Sequence, residues 1–120
     1  MWGKLYKRAL FNNVRFPLGK LHEDEFVTYK ILFNCDDAAY IDQPLYYYYQ
    51  NPEGIMLSKW NPRRMDAFEA FEEQSEFFKN LPSVYEAQGR RYMRNLMNTL
   101  EVIKDDSEYK QYQKIIHKKD

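Results

Sequence analysis

Cysteine, histidine and glycine are scarce in this chain of 120 residues, and net charge is missing altogether. The single Cys35 excludes an intrachain disulfide and any cysteine-cluster metal site, and it fits a reducing compartment. His22 and His117 stand too far apart in sequence for a zinc-ligand spacing. Four glycines, none grouped, leave no Gly-rich phosphate loop. With 18 Lys and Arg against 18 Asp and Glu, total charge offers no case for nucleic acid or an anionic membrane. The pairs Arg63-Arg64 and Arg90-Arg91 are expected as solvated helix faces. No apolar run approaches the roughly 18 residues that span a bilayer, and we expect no signal peptide ahead of Trp2. We expect a soluble cytoplasmic chain.

What is abundant is aromatic surface: 11 Tyr and 8 Phe, far more than a plain helical bundle needs. A chain of this length fits one domain, burying about two-thirds of its unfolded surface. Helical spacing of Phe26, Tyr29, Leu32 and Phe33 predicts a helix over 23–33, opened by the acids Glu23, Asp24 and Glu25 and stopped by Asn34-Cys35-Asp36-Asp37. Over 38–50 the β-prone Tyr40, Ile41, Leu45 and Tyr46 to Tyr49 predict a short β element, interrupted by Pro44. Asn51-Pro52-Glu53-Gly54 is a turn. Asn61-Pro62 predicts the cap and first turn of a helix that ends before Leu81-Pro82. A second helix follows over 83–104, weakened at Gly89, and a short one carries Tyr109, Tyr112, Ile115 and Ile116. The expected class is α+β, predominantly helical, without a parallel nucleotide-binding sheet.

Three motifs then stand in series: Trp2-Gly3-Lys4-Leu5-Tyr6, the turn Phe16-Pro17-Leu18-Gly19, and Glu23-Asp24 at a helix start. Together they resemble the acceptor-side half of family 2 glycosyltransferases, inverting enzymes of the GT-A fold. The stretch from Leu45 to Met56 resembles that family too, but has Tyr49 where the family commonly has Arg and lacks its Ser near Gly54. The likeness covers residues 1–60 as the acceptor-side segment, and 61–120 only loosely as a helical C-terminal tail.

The resemblance implies that Asp24 is the catalytic base, with Glu23 its neighbour in the motif, and that Trp2, Lys4, Tyr47 and Tyr49 meet the acceptor. It implies a nucleotide-sugar donor, a divalent ion (Mg or Mn) and a glycan or lipid-linked acceptor for the whole enzyme. It also implies that the donor-binding domain with its Asp-x-Asp motif lies outside this chain. The chain is then a fragment, inactive alone and prone to self-association through uncovered aromatic surface, either free in the cytoplasm or peripheral at the inner face of a membrane. Each residue also has a plainer reading. The acidic triplet complements a helix dipole, Trp2 packs as a core aromatic, Lys4 is solvated, and half of the tyrosines pack a strand on a helix. Two rival functions follow from those: a helical, tyrosine-rich protein-interaction module without catalysis, or a carbohydrate-binding piece.

Overall fold

The structure, a computed structural model, describes residues 3–54, 59–105 and 107–118. Four α-helices carry it: α1 (Thr28–Phe33), α2 (Asp66–Phe78), α3 (Pro82–Ile103) and α4 (Lys110–His117). No strand forms among the described residues, so the chain is predominantly helical and has no parallel sheet.

Local punctuation accounts for the second half. The Asn61 side chain accepts from the Arg63 N–H at 3.1 Å and Pro62 takes the first position of a 3-10 turn, Pro62–Met65, that runs into α2. Asp66 receives the Leu21 N–H at 2.9 Å, and Lys20 reaches both Asp66 and Glu69, pinning the 16–21 loop to the start of α2. Pro82 opens α3, which runs unbroken through Gly89.

The expected helix over 23–33 is divided. Glu23–Phe26 is a 3-10 turn and α1 begins only at Thr28, because Val27 leaves helical geometry (φ −122°, ψ −42°) to bury its side chain almost completely. The β element expected over 38–50 is not found either. A tight three-residue turn centred on Pro44 closes with the Leu45 N–H on the Gln43 carbonyl at 2.9 Å, and among the described residues no neighbouring segment offers a ladder. Its residues keep the two-fold alternation of a strand, with Tyr46, Tyr47, Tyr48 and Tyr49 exposed 54, 87, 48 and 70 %.

Two cores share α2 as a wall. On one side Phe68 and Phe71 pack with Trp60, Leu96, Ile103 and Ile116. On the other Ala70 packs with Val14, Phe26, Val27 and Ile31, flanked by Tyr6, Leu10 and Phe11. Between α2 and α3 the buried Gln88 amide donates to the Phe71 carbonyl at 2.8 Å, and the Ser75 hydroxyl lies 2.7 Å from Gln88 Oε1. Both polar ends of Gln88 are thus satisfied, as burial requires.

Candidate functional site

A cleft of about 280 Å³ opens between the 4–6 segment, the 3-10 turn Glu23–Phe26, α1, α2 and α3. Lys4, Tyr6, Asp24, Glu25, Thr28, Tyr29, Leu32, Gln74 and Arg91 line it. The acidic triplet divides by partner. Glu25 is engaged twice: Arg91 of α3 ion-pairs with its carboxylate, and the Gln74 amide donates to its backbone carbonyl at 2.7 Å. Glu23 is exposed and does not line the cleft. Asp24 is half-buried in the lining.

Tyr6 faces the same space. Its hydroxyl oxygen is buried and makes no hydrogen bond among the described residues. Burial, and then the Asp24 charge, push this phenol above its ordinary value, so it stays a neutral hydroxyl able to donate. Its ring meets Phe11 edge to face at 5.7 Å. Tyr29 forms an apolar wall instead. Its ring packs against Phe77 at 5.0 Å and its hydroxyl donates to Glu73 at 2.8 Å. Arg91 covers the Phe71 ring at 5.0 Å while it holds Glu25.

Of the residues named from sequence, the fold brings Asp24 and Lys4 into one cleft. Tyr47 and Tyr49 are exposed and line no part of it. Trp2 lies outside the described residues. Tyr6 was named only as the last residue of the Trp2-Gly3-Lys4-Leu5-Tyr6 motif, and Gln74 and Arg91 were not named as site residues at all. Arg91 in particular was expected as a solvated face, and its pairing spans 66 residues, a distance that no local spacing signals.

A larger hollow of about 330 Å³ between α3 and α4 holds none of the candidates. Its polar groups are engaged with one another, Lys104 with Glu101 and the Gln113 amide with the Lys104 carbonyl at 3.1 Å. Among the described residues no three His, Cys, Asp or Glu side chains converge as a metal site. None of the helices among them is long and apolar enough to cross a membrane.

No protein-family model matches the chain. No solved structure matches it. Among curated proteins it is similar to "Glycosyltransferase GlyA" of Streptococcus pneumoniae serotype 4 (strain ATCC BAA-334 / TIGR4), 33% identical over 81 residues. That match takes in 67% of this chain and 12% of the relative's length. The likeness supports a glycosyltransferase-like segment and enzyme parentage.

Proposed function

We propose that this chain is the acceptor-side portion of a family 2 glycosyltransferase of GT-A type. The whole enzyme moves a sugar, with inversion, from a nucleotide-sugar donor to a glycan or lipid-linked acceptor. The observation that carries this reading is the meeting of Asp24, Lys4 and a Tyr6 hydroxyl that has no hydrogen-bond partner among the described residues, in one cleft of a chain similar to a glycosyltransferase.

In this reading the Asp24 carboxylate is the general base. It takes the proton of the acceptor hydroxyl as that oxygen bonds to the anomeric carbon, while the sugar–phosphate bond breaks on the opposite face and its electrons leave on the nucleoside diphosphate. Lys4 and Tyr6 donate hydrogen bonds that orient the acceptor, Trp2 stacks on a sugar face, and Arg91 and Gln74 hold Glu25 so that the turn carrying Asp24 stays in register. Tyr6 takes the acceptor contact first assigned to Tyr47 and Tyr49, which stand away from the cleft. A Mg or Mn ion does not fit the described residues. We assign it and the nucleotide sugar to a separate donor-binding domain, and place the enzyme in the cytoplasm.

The test is Asp24→Asn in the intact enzyme. The expected loss in kcat is roughly 10²- to 10⁴-fold, with little change in acceptor KM; Glu23→Gln should lose only a few-fold. Full activity in Asp24→Asn removes the assigned base. Turnover of any nucleotide sugar by the 120-residue chain alone, lost in Asp24→Asn, would move the donor site into this chain.

A further inference from the structure

Among the described residues two polar side chains are buried, Gln74 of α2 and Gln88 of α3, and both are amides. Gln74 serves the cleft directly, through the Glu25 carbonyl. Gln88 does not line the cleft. Its amide N–H donates to the Phe71 carbonyl at 2.8 Å, and its Oε1 accepts from the Ser75 hydroxyl at 2.7 Å. That hydroxyl also lies 2.9 Å from the Phe71 carbonyl. It carries one proton, and only donation to Gln88 leaves no acceptor of the buried amide empty.

Around this amide α2 and α3 meet through Phe68, Phe71, Tyr92 and Leu96. Apolar contacts carry no direction, so they hold two helices together without fixing how far one has slid along the other. An amide bonded at both ends does fix it. Arg91 follows Gln88 by one turn on the same face of α3, about 4.5 Å further along the axis. Its guanidinium covers the ring of Phe71, the residue whose carbonyl holds Gln88, and ion-pairs with Glu25. That pair is too open to place a helix unaided, with the Arg91 side chain 50 % exposed. A shift of α3 by one residue would carry Arg91 about 1.5 Å along and turn it about 100° from Glu25.

We propose that Gln88 is a positioning residue for the cleft. Its amide locks the register of α3 on α2, and that register sets Arg91 on Glu25, the neighbour of Asp24. The consequence for sugar transfer rests on Asp24 as the base, whereas the register does not.

Gln88→Met tests this, because it removes the directional amide and strands nothing: the Ser75 hydroxyl keeps the Phe71 carbonyl. The variant chain should fold, with far-UV circular dichroism matching the parent. Hydrogen exchange should quicken a few-fold at the Glu25 and Val27 amides, which close the Asp24 turn on the His22 and Asp24 carbonyls. Arg91→Ala should do the same, and adding Gln88→Met to it should change neither amide further. A residue that merely packs would instead loosen both helices along their length and add to Arg91→Ala. In the intact enzyme, kcat of Gln88→Met should fall by the factor found for Arg91→Ala, with acceptor KM held. Parent-like exchange at both amides, additivity with Arg91→Ala, or failure of Gln88→Met to fold overturns the proposal. So does an unchanged kcat in Gln88→Met while Asp24→Asn is inactive. Quickened exchange beside a fully active Asp24→Asn would support the register and remove only the base.

Discussion

At Tyr6 a hydroxyl is buried without a hydrogen-bond partner among the described residues, in a space shared with Asp24 and Lys4. Leaving such a group unsatisfied costs about 1–3 kcal/mol. Tyr6→Phe is therefore expected to raise stability by about 1 kcal/mol in urea unfolding. In the proposed acceptor site it should at the same time raise the acceptor KM of the intact enzyme, roughly tenfold for one lost hydrogen bond. A variant that loses stability, or leaves KM untouched, separates Tyr6 from the acceptor. The same scale explains how three consecutive acids take three different places. Glu23, Asp24 and Glu25 are equivalent as a string, and only partners arriving from α2 and α3 make Glu25 a strut and leave Asp24 in the cleft lining.

The seam between α1 and α2 has its own electrostatics. Tyr29 and Lys30 of α1 both reach the Glu73 carboxylate of α2. Burial pushes Glu73 up, but the hydrogen bonds from Lys30 and Tyr29 outweigh it, and the carboxyl ends below its ordinary value. Burial first, then the bond to Glu73, push the Tyr29 phenol well above its usual value near 10. A depressed carboxylate contributes stability that is present above its unfolded pKa and lost as pH falls through the folded one. A raised phenol contributes stability that is complete below about pH 10 and lost as pH rises further. Thermal melts across pH should thus fall at both ends. Glu73→Gln should flatten the acid limb, and Tyr29→Phe should flatten part of the alkaline one, which Tyr6, Lys20 and Lys104 share. Unchanged slopes in both variants would remove this seam as the cause.

Elements are also where sequence reading succeeds or stops. Asn61-Pro62, Leu81-Pro82 and the break after Lys104 act through local backbone chemistry, and the helices they bound stand where spacing places them. The split at Val27 answers to a core assembled from Val14, Ile31 and Ala70, which no window around Val27 contains. Over 38–50 the β-prone composition yields the alternation of a strand but not the strand itself, since a ladder needs a second chain segment beside it. Asp24 and Lys4 were legible through motif. Tyr6 came with the same motif, whereas Gln74 and Arg91 depend on contacts between distant segments and were not legible.

For the molecule as a whole, neutrality is an average over unlike parts: a segment over 3–20 with cations and no Asp or Glu, a mixed pair of central helices and an open tyrosine run. That run is a liability in isolation, because exposed aromatic side chains on extended backbone invite pairing. We expect the 120-residue chain to self-associate in light scattering, and Tyr47→Ser with Tyr49→Ser to shift it toward monomer. A monomer at high concentration would count against the expectation and favour a rigid interaction module.

The ion pair between Glu25 and Arg91 also has a bearing on biosynthesis. Its two halves lie 66 residues apart, and Gln74, the other partner of Glu25, lies 49 residues downstream of it. While a ribosome is extending the chain, Asp24 emerges before α3, onto a surface that has no far wall. The cleft comes into existence only when α3 has left the exit tunnel and docked, so a chain interrupted before Arg91 presents the acidic motif without the site that would use it.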